Sequence, residues 1–317
     1  MRTVFNLNTN WAFCKDHKDV PASLPADWEA VTLPHTWNAV DGQDGGNDYF
    51  RGTCCYAKAF AKTELPETKK YYLEIRGAAS SADVFLNGKH LAHHDGGFST
   101  WRVNLTDSLE EENLLSILVD NAPNNHVYPQ VADFTFYGGL YRNVNLICVG
   151  ESHFDLDYYG TPGIKVTPVM ESSDAKVAVE TWIAGRKEGQ TVRYSLKNKD
   201  GKELGAFEGG RNANFRIQNA HLWNGRKDPY LYSMTAELLE NGEILDTVYT
   251  RFGCRSYEIH PEKGFLLNGE SYPLRGVARH QDRWGIGNAL LPEHHREDID
   301  LILEGGFTTV QIGRAHV

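Results

Sequence analysis

Three of the four Asn-Gly pairs lie between apolar stretches, and these three constrain the fold more than any other feature of the sequence. The pairs are Asn87-Gly88, Asn241-Gly242 and Asn268-Gly269. Asn and Gly tolerate the positive φ angles of a two-residue hairpin turn, so each pair predicts two directly joined antiparallel strands. The flanking runs are short and rich in β-branched and aliphatic residues, and no long helical period accompanies them. Most of the chain is therefore expected to form antiparallel sandwiches.

Two blocks of such strands are predicted. In the first block, residues 1–150, strands are expected at 82–91 (folding back at its Asn-Gly pair), 114–119 and 140–149. In the second block, residues 151–257, they are expected at 176–183, 191–196, 231–238 and 247–252. The second block has roughly the length of a small seven-strand sandwich.

Residues 258–317 follow a different pattern. A hairpin leads into an apolar strand predicted at 273–278, then a loop, and then a helix with apolar residues at helical spacing and Gly305-Gly306 as its stop. The segment FTTV predicts a further strand, so the whole is a βα unit of the kind that builds parallel sheets. Arg279 and His280 follow the carboxyl end of the first strand, where barrel enzymes place their active sites. Both side chains are expected to face a pocket.

The composition excludes several classes of function. A formal net charge of −10 and a pI near 5.7 argue against nucleic acid or an anionic membrane as a partner, because such surfaces need clustered Lys and Arg. No apolar run reaches the length of a membrane span. The first residues carry no secretory or transit pattern, so a cytoplasmic location is expected. The five cysteines have no metal-ligand spacing and are expected to be reduced thiols.

Two polar stretches are candidates for a site, and each also has an ordinary structural explanation. RHQDR, residues 279–283, gathers ionisable groups at a strand end, yet Arg and Asp in one loop usually form a solvated ion pair worth under ~1 kcal/mol. ADFTFYGGLYRNVNL, residues 132–146, places Asp133 before three aromatic residues, which suits the C–H face and the hydroxyls of a sugar. A sandwich corner packed with aromatic residues would explain the same pattern.

Several motifs together resemble glycoside hydrolase family 2, most closely its β-galactosidases. They are LPHTWN, YFRGTCCY, VFLNGKHLAHHDGGFSTW, DFTFYGGLYRNV and FLLNGESYPLRGVARHQDRWG, and they extend over essentially the whole chain. The resemblance implies a jelly-roll sugar-binding domain at 1–150, an immunoglobulin-like sandwich at 151–257, and the start of a (β/α)8 TIM barrel at 258–317. The fold class implied is mainly β, with the barrel truncated.

The same resemblance implies roles for individual residues. Asp133 would bind the sugar and a sodium ion, His280 would bind the galactosyl hydroxyls, and Arg279 would help to shape the pocket. The segment around Arg51 matches a loop that borders the sugar site, but its residue types diverge from those of the family. A complete enzyme would use Mg²⁺ and Na⁺, would act on terminal β-D-galactosides with retention of configuration, and could form a homo-oligomer.

Two alternatives remain open at this point. One is a β-glucuronidase or β-mannosidase of the same family, and the other is a non-catalytic carbohydrate-binding or assembly module. Retaining glycosidases need two carboxyl groups about 5 to 5.5 Å apart. The resemblance places both on later barrel strands, so no glutamate of this chain is expected to be catalytic.

The last part of the sequence is expected to be incomplete. A TIM barrel needs roughly 250 residues, whereas residues 258–317 supply only 60. Residues 312–317 read IGRAHV, a stretch that a common sequencing adapter encodes in one reading frame, which favours an artefact over the alternative of a genuine family variant. The chain by itself is therefore expected to be inactive on a β-galactoside.

Overall fold

The computed structural model describes residues 1–43, 48–129, 132 and 134–312, with Ile312 described by its backbone alone. Over these residues the chain consists mainly of β-strands and contains one α-helix, which confirms the expected mainly β class. It separates into two compact units. The first unit comprises Thr3–Cys148 with Ala278–Leu301, and the second comprises Met1–Arg2, Val149–Val277 and Ile302–Gln311.

The first unit contains ten strands and two short 3-10 helices within the described residues. The strands are β1 (Thr3–Asn6), β2 (Trp11–Cys14), β3 (Glu29–Val31), β4 (Thr53–Ala61), β5 (Lys70–Ile75), β6 (Ser81–Leu86), β7 (Lys89–Asp95), β8 (Trp101–Asn104), β9 (Glu112–Asp120) and β10 (Val144–Val149). The 3-10 helices are Lys62–Glu64 and Thr106–Ser108.

These strands form two sheets that share one core. One sheet has the order β1-β10-β5-β8, and the other has the order β3-β2-β4-β9-β6-β7. Leu73 of the first sheet and Val84 and Ile117 of the second are fully buried in the same cluster of apolar side chains. Alternate residues of β6 point inward, as its burial pattern shows, so the strand has the period of two that a half-buried strand requires. The first unit is therefore a β-sandwich.

The second unit is a separate sandwich followed by a small hairpin sheet. Its strands are β11 (His153–Phe154), β12 (Ile164–Glu171), β13 (Asp174–Thr181), β14 (Ile183–Ala184), β15 (Thr191–Lys197), β16 (Glu203–Gly209), β17 (Asn212–Ile217), β18 (Tyr232–Glu240), β19 (Glu243–Phe252), β20 (Tyr257–His260), β21 (Gly264–Leu267) and β22 (Glu270–Ser271). The sheets β12-β13-β17 and β16-β15-β18-β19 enclose a core around Val177, Tyr194 and Met234.

The three Asn-Gly turns are confirmed. Asn87, Asn241 and Asn268 have φ angles of 52°, 52° and 55°, and the glycine that follows each is also in the left-handed region. Each pair joins two neighbouring antiparallel strands: β6 to β7, β18 to β19, and β21 to β22. Local turn chemistry alone was sufficient to place these hairpins.

The last elements are β23 (Gly276–Arg279), the helix α1 (Pro292–Glu304) and β24 (Thr309–Ile312), and β23 pairs with β24. Proline suits the first position of a helix because no intrahelical bond needs its missing N–H there. Gly306, with a φ of 81°, ends the helix, and its N–H donates to the carbonyl oxygen of Leu303 at 3.0 Å. The predicted helix and its glycine stop are thus confirmed.

Three predicted strands start later than expected, including FTTV, whose strand begins at Thr309. The strand predicted at 273–278 begins at Gly276, because Pro273 has no N–H for the ladder and its carbonyl oxygen accepts the Thr308 hydroxyl at 2.7 Å. Arg279 is consequently the last residue of β23 and does not lie beyond it. The strand predicted at 140–149 begins at Val144, because the carbonyl oxygen of Leu140 accepts the His35 N–H at 2.9 Å.

Candidate functional site

Loops of the first unit enclose a cavity of about 420 Å³. Aromatic side chains and three arginines dominate its lining, and Asp282 is the single carboxylate among the described lining residues. The lining residues are Arg51, Ala79, Ser80, Gly97, Phe98, Asn121, Val127, Tyr128, Pro129, Phe134, Thr135, Phe136, Tyr137, Tyr141, Arg142, Arg279, His280, Gln281, Asp282 and Asn288. The two polar stretches found in the sequence, 132–146 and 279–283, therefore both contribute to one cavity.

Two buried asparagines hold the wall that carries Phe136. The side chain of Asn121 donates to the carbonyl oxygen of Phe136 at 2.7 Å and to Oδ1 of Asn38 at 3.2 Å. Oδ1 of Asn38 also accepts the N–H of Gly138 at 2.9 Å. Both asparagines are almost completely buried. Because a buried amide is stable only when it is hydrogen-bonded, this network fixes the backbone of the wall.

The Gly138-Gly139 bend is required by space and by backbone conformation. A Cβ atom on Gly138 would lie 1.9 Å from the Trp37 ring, which is an impossible contact. Gly139 has a φ of 128°, and a Cβ there would lie 2.4 Å from the carbonyl oxygen of His35. The predicted tight bend after the aromatic residues is thus present, and only glycine fits at either position.

His280 and Arg279 both line the cavity, as the sequence predicted, but their surroundings differ. The His280 ring stands edge-on to Phe134, with the ring centroids 6.3 Å apart. Arg279 is held by helix α1: its Nε donates to Asp298 at 2.9 Å, one Nη donates to the same carboxylate, and that Nη donates to His295 Nδ1 at 3.0 Å. The arginine side chain is only 8% exposed. Arg279 therefore shapes the wall and has its charge compensated.

Burial and the neighbouring Arg279 guanidinium lower the pKa of His295. A neutral imidazole is also what the geometry needs, because Nδ1 accepts a hydrogen bond from Arg279 and can do so only when it carries no proton.

Tyr137 and Asp282 form a hydrogen-bonded pair that no sequence motif predicted. The Tyr137 hydroxyl donates to Oδ2 of Asp282 at 3.1 Å. Burial, followed by the negative charge of Asp282, raises the pKa of Tyr137 to about 12. The phenol thus stays protonated at neutral pH and remains a hydrogen-bond donor. The two residues are 145 positions apart, and no local pattern marks such a contact.

The guanidinium of Arg51 is held through its Nε and its flat face. Its Nε donates to the carbonyl oxygen of Asn121 at 2.8 Å, and its guanidinium carbon lies 4.7 Å from the centroid of the Phe136 ring. The resemblance noted above placed this segment beside the sugar site with little support. In the structure Arg51 lines the same cavity as His280.

Asp133, expected to bind sugar and sodium, lies outside the described residues. Phe134 and Thr135, which follow it, line the cavity. Over residues 1–43, 48–129, 132 and 134–312, no group of three or more His, Cys, Asp or Glu side chains could hold a metal ion. These residues therefore do not supply a donor set of this kind for Mg²⁺ or Na⁺.

None of the described helices is both long enough and apolar enough to span a membrane. The described cysteines, Cys14, Cys54, Cys55, Cys148 and Cys254, are all free thiols, as expected.

Two family models match the chain. The model for glycosyl hydrolases family 2 matches residues 162–255, in the second unit. The model for the galactose-binding domain-like domain of glycosyl hydrolase 2 matches residues 48–135, in the first unit.

Proteins similar to the chain carry two different names. A β-glucuronidase from Bacteroides fragilis is 36% identical over 96% of the chain and 45% of its own length. A β-galactosidase from Thermoanaerobacter pseudethanolicus is 26% identical over 95% of the chain and 42% of its own length. The chain thus spans less than half the length of these curated relatives.

A solved structure agrees with both the fold and the sequence. The FMN-binding β-glucuronidase from Faecalibacterium prausnitzii L2-6 superposes with a TM-score of 0.91 and 41% identity, covering 100% of this chain and 49% of that one. With one family model in each unit, and with relatives that match nearly the whole chain, the chain belongs to glycoside hydrolase family 2.

Proposed function

We propose that this chain is part of a β-D-glucuronidase and that it forms one wall of the substrate cavity. The observation that carries the proposal is a cavity with three arginines and a single described carboxylate in its lining. A glucuronide differs from a neutral hexoside by one carboxylate, and arginine is the side chain best suited to bind that group. The relatives named β-glucuronidase at 36% and 41% identity support the same substrate class.

The cavity has a suitable size and surface for a sugar. Its volume of about 420 Å³ falls within the roughly 300–1,000 Å³ typical of small-molecule sites. Phe134 and Phe136 lie 5.1 Å apart by ring centroid, and such faces pack against the C–H face of a pyranose. We assign His280 and the Tyr137–Asp282 pair to the sugar hydroxyls, with Arg279 fixing the wall beside them.

The reaction proposed for the whole protein is hydrolysis with retention of configuration. It requires an acid that protonates the leaving oxygen and a carboxylate that attacks the anomeric carbon, about 5 to 5.5 Å apart. No glutamate lines the described part of the cavity. We therefore assign neither role to this chain, whose part is to bind and orient the sugar.

The finer domain assignment is part of the proposal. Residues 1–150 would be a jelly-roll sugar-binding domain, residues 151–257 an immunoglobulin-like sandwich, and residues 258–317 the opening of a (β/α)8 barrel that starts with β23, α1 and β24. Asp133 as a ligand of sugar and sodium, and the use of Mg²⁺ by the whole protein, also stay predictions.

A β-D-galactosidase is the second candidate. The sequence DFTFYGGLYR resembles the corresponding motif of the β-galactosidases. The relative from Thermoanaerobacter pseudethanolicus, at 26% identity, is named a β-galactosidase. The lower identity and the arginines of the cavity favour the glucuronide.

Calorimetric titration of the chain with methyl β-D-glucuronide and methyl β-D-galactoside tests the substrate class. We expect the glucuronide to bind more tightly, and tighter binding of the galactoside would reverse the choice. Hydrolysis of 4-nitrophenyl β-D-glucuronide by the whole protein, but not by this chain, is the corresponding expectation for activity. Turnover by the purified chain would show that the catalytic carboxylates are within it.

A further inference from the structure

The three arginines of the cavity are not equivalent. Arg279 has its guanidinium bound by Asp298 and His295. Arg142 donates to the carbonyl oxygens of Phe98 and Arg76 at 3.1 and 3.4 Å and to Gln281 at 3.5 Å. Each of these two guanidiniums therefore donates from at least one terminal nitrogen to groups within the protein.

Arg51 differs because only its Nε is used in this way. Nε donates to the carbonyl oxygen of Asn121 at 2.8 Å, and no residue within the described ranges accepts a hydrogen bond from Nη1 or Nη2 of Arg51. The described part of the chain also provides no ion pair for this guanidinium. The arginine is neither exposed nor buried, and it lines the cavity.

The position of this guanidinium is fixed before any ligand arrives. The carbonyl that holds Nε belongs to Asn121, which is 1% exposed and is itself bound to Asn38 and to the backbone of Phe136. The guanidinium carbon lies 4.7 Å from the centroid of the Phe136 ring, close enough for a cation–π contact. The terminal nitrogens of a side chain held in this way form a planar pair of donors, which matches the two oxygens of a carboxylate.

The charge of the lining residues also favours an anionic group of the ligand at Arg51. Asp282 is the one carboxylate among the described lining residues, and it accepts the Tyr137 hydroxyl. No carboxylate of the described residues forms an ion pair with Arg51, and a positive charge in a partly enclosed cavity attracts an anion more strongly than it would in open water.

We propose that Arg51 is the residue of this cavity that binds a carboxylate of the substrate through its two terminal nitrogens. The inference rests on the proposed function for its choice of a glycoside as ligand. The carboxylate has two chemical sources: it belongs either to a uronic acid or to the group linked to the sugar. Arg51 determines specificity and takes no part in bond breaking.

The test is calorimetric titration of the chain and its variants with four ligands. Methyl β-D-glucuronide carries the carboxylate on the sugar and 4-carboxyphenyl β-D-galactoside carries it on the linked group. Methyl β-D-glucoside and phenyl β-D-galactoside are their neutral counterparts. The variants are R51Q, R51K and the control R193Q, which removes one positive charge from an exposed pair with Glu237 in the second unit.

We expect R51Q to weaken the binding of one of the two acidic ligands about tenfold or more, because charged hydrogen bonds are lost. Its neutral counterpart should bind as before. R51K should recover part of the affinity, since it keeps the charge but not the planar pair of donors. R193Q should bind all four ligands as the unsubstituted chain does. Added salt should weaken the acidic ligand alone.

Unchanged binding of both acidic ligands by R51Q would overturn the proposal. An equal loss for acidic and neutral ligands would overturn it as well, because Arg51 would then be holding the loop and not the ligand. Failure of the unsubstituted chain to bind any of the four ligands has the same consequence. If only 4-carboxyphenyl β-D-galactoside depends on Arg51, the role of Arg51 stands and the glucuronide assignment fails.

Discussion

Asn121 donates a hydrogen bond from its side chain to the carbonyl oxygen of Phe136 at 2.7 Å, and its own Oδ1 accepts the N–H of Gly52 at 2.9 Å. One buried amide thus connects two segments of the cavity wall. Replacing it with alanine would leave buried backbone groups without partners, each at a cost of about 1–3 kcal/mol. We expect N121A to lower the free energy of unfolding by that order and to weaken sugar binding. Asn125, an exposed loop residue, provides the control N125A, which should change stability by less than about 0.5 kcal/mol.

The Gly138 position should not tolerate even one methyl group. In G138A the new Cβ would occupy the space of the Trp37 ring, so the ring or the loop must move. Overpacking of this kind costs about 1–3 kcal/mol or more. Thermal unfolding should therefore begin at a lower temperature in G138A, with a changed tryptophan emission. Gly210 has open space around its Cβ position, and an unaltered melting curve for G210A is the matched expectation. A melting curve for G138A that overlays that of the parent chain would contradict the packing described here.

Glu74 should make the first unit sensitive to acid. Burial raises its pKa, but hydrogen bonds from Arg76, Arg102 and Asn145 outweigh burial and lower the pKa overall. A lowered folded-state pKa stabilises the protein fully above the unfolded-state value of about 4.3, and that stabilisation is lost as the pH falls through the folded-state pKa. Urea unfolding at a series of pH values from 7 downward should show this loss. The E74Q variant should be less stable at pH 7, because the largely buried Arg102 would lose its ion pair with Glu74, and its stability should depend less on pH. Parallel pH profiles for the two proteins would contradict the assignment.

His93 and His94 are adjacent in β7 and should titrate in opposite directions from the ordinary histidine value. Burial lowers the pKa of His93, but hydrogen bonds and charge from Asp83 and Asp95 outweigh it and raise the pKa overall. Burial lowers the pKa of His94, whose ring stacks on Trp101 with the centroids 4.8 Å apart. NMR titration of the imidazole protons should place the His93 midpoint above that of His94. D83N should lower the His93 midpoint, and the reverse order of midpoints would refute the geometry.

Asp298 should be necessary for the position of Arg279. The D298N variant would leave a guanidinium that is 8% exposed without its counter-charge, a situation that typically costs about 3–5 kcal/mol. Helix α1 should lose protection in hydrogen exchange, and sugar binding should weaken with it. Glu293, exposed in the first turn of the same helix, provides the control E293Q, for which no such loss is expected. Equal protection of α1 in both variants would contradict the role given to the Arg279–Asp298 pair.

Local sequence chemistry predicted the hairpins and the helix because their determinants are neighbours in the chain. Asn87 and Gly88 need only each other to form a turn, and Gly306 needs only the preceding helical turn to end α1. Such features do not depend on contacts with distant parts of the chain.

The cavity was harder to predict because its contacts join distant residues. Tyr137 and Asp282 are 145 positions apart, and Arg51 and Asn121 are 70 positions apart. The motif resemblance brought His280 and Arg279 to attention but could not show that Asp298 and His295 of helix α1 bind the arginine. It likewise gave little weight to Arg51, whose contacts with Asn121 and the Phe136 ring become apparent only once the loops are in place.

The placement of Asn38 and Asn121 inside the sandwich has a consequence for how the protein meets its ligand. The amides of Gly52 and Gly138 donate to these two side chains, so they should exchange with solvent only when the sandwich itself opens. The cavity wall that carries Phe136 is then formed during folding, as part of the same cooperative structure. This wall is therefore already ordered when a sugar binds. No entropy is lost in ordering the wall, so this cost does not reduce the affinity.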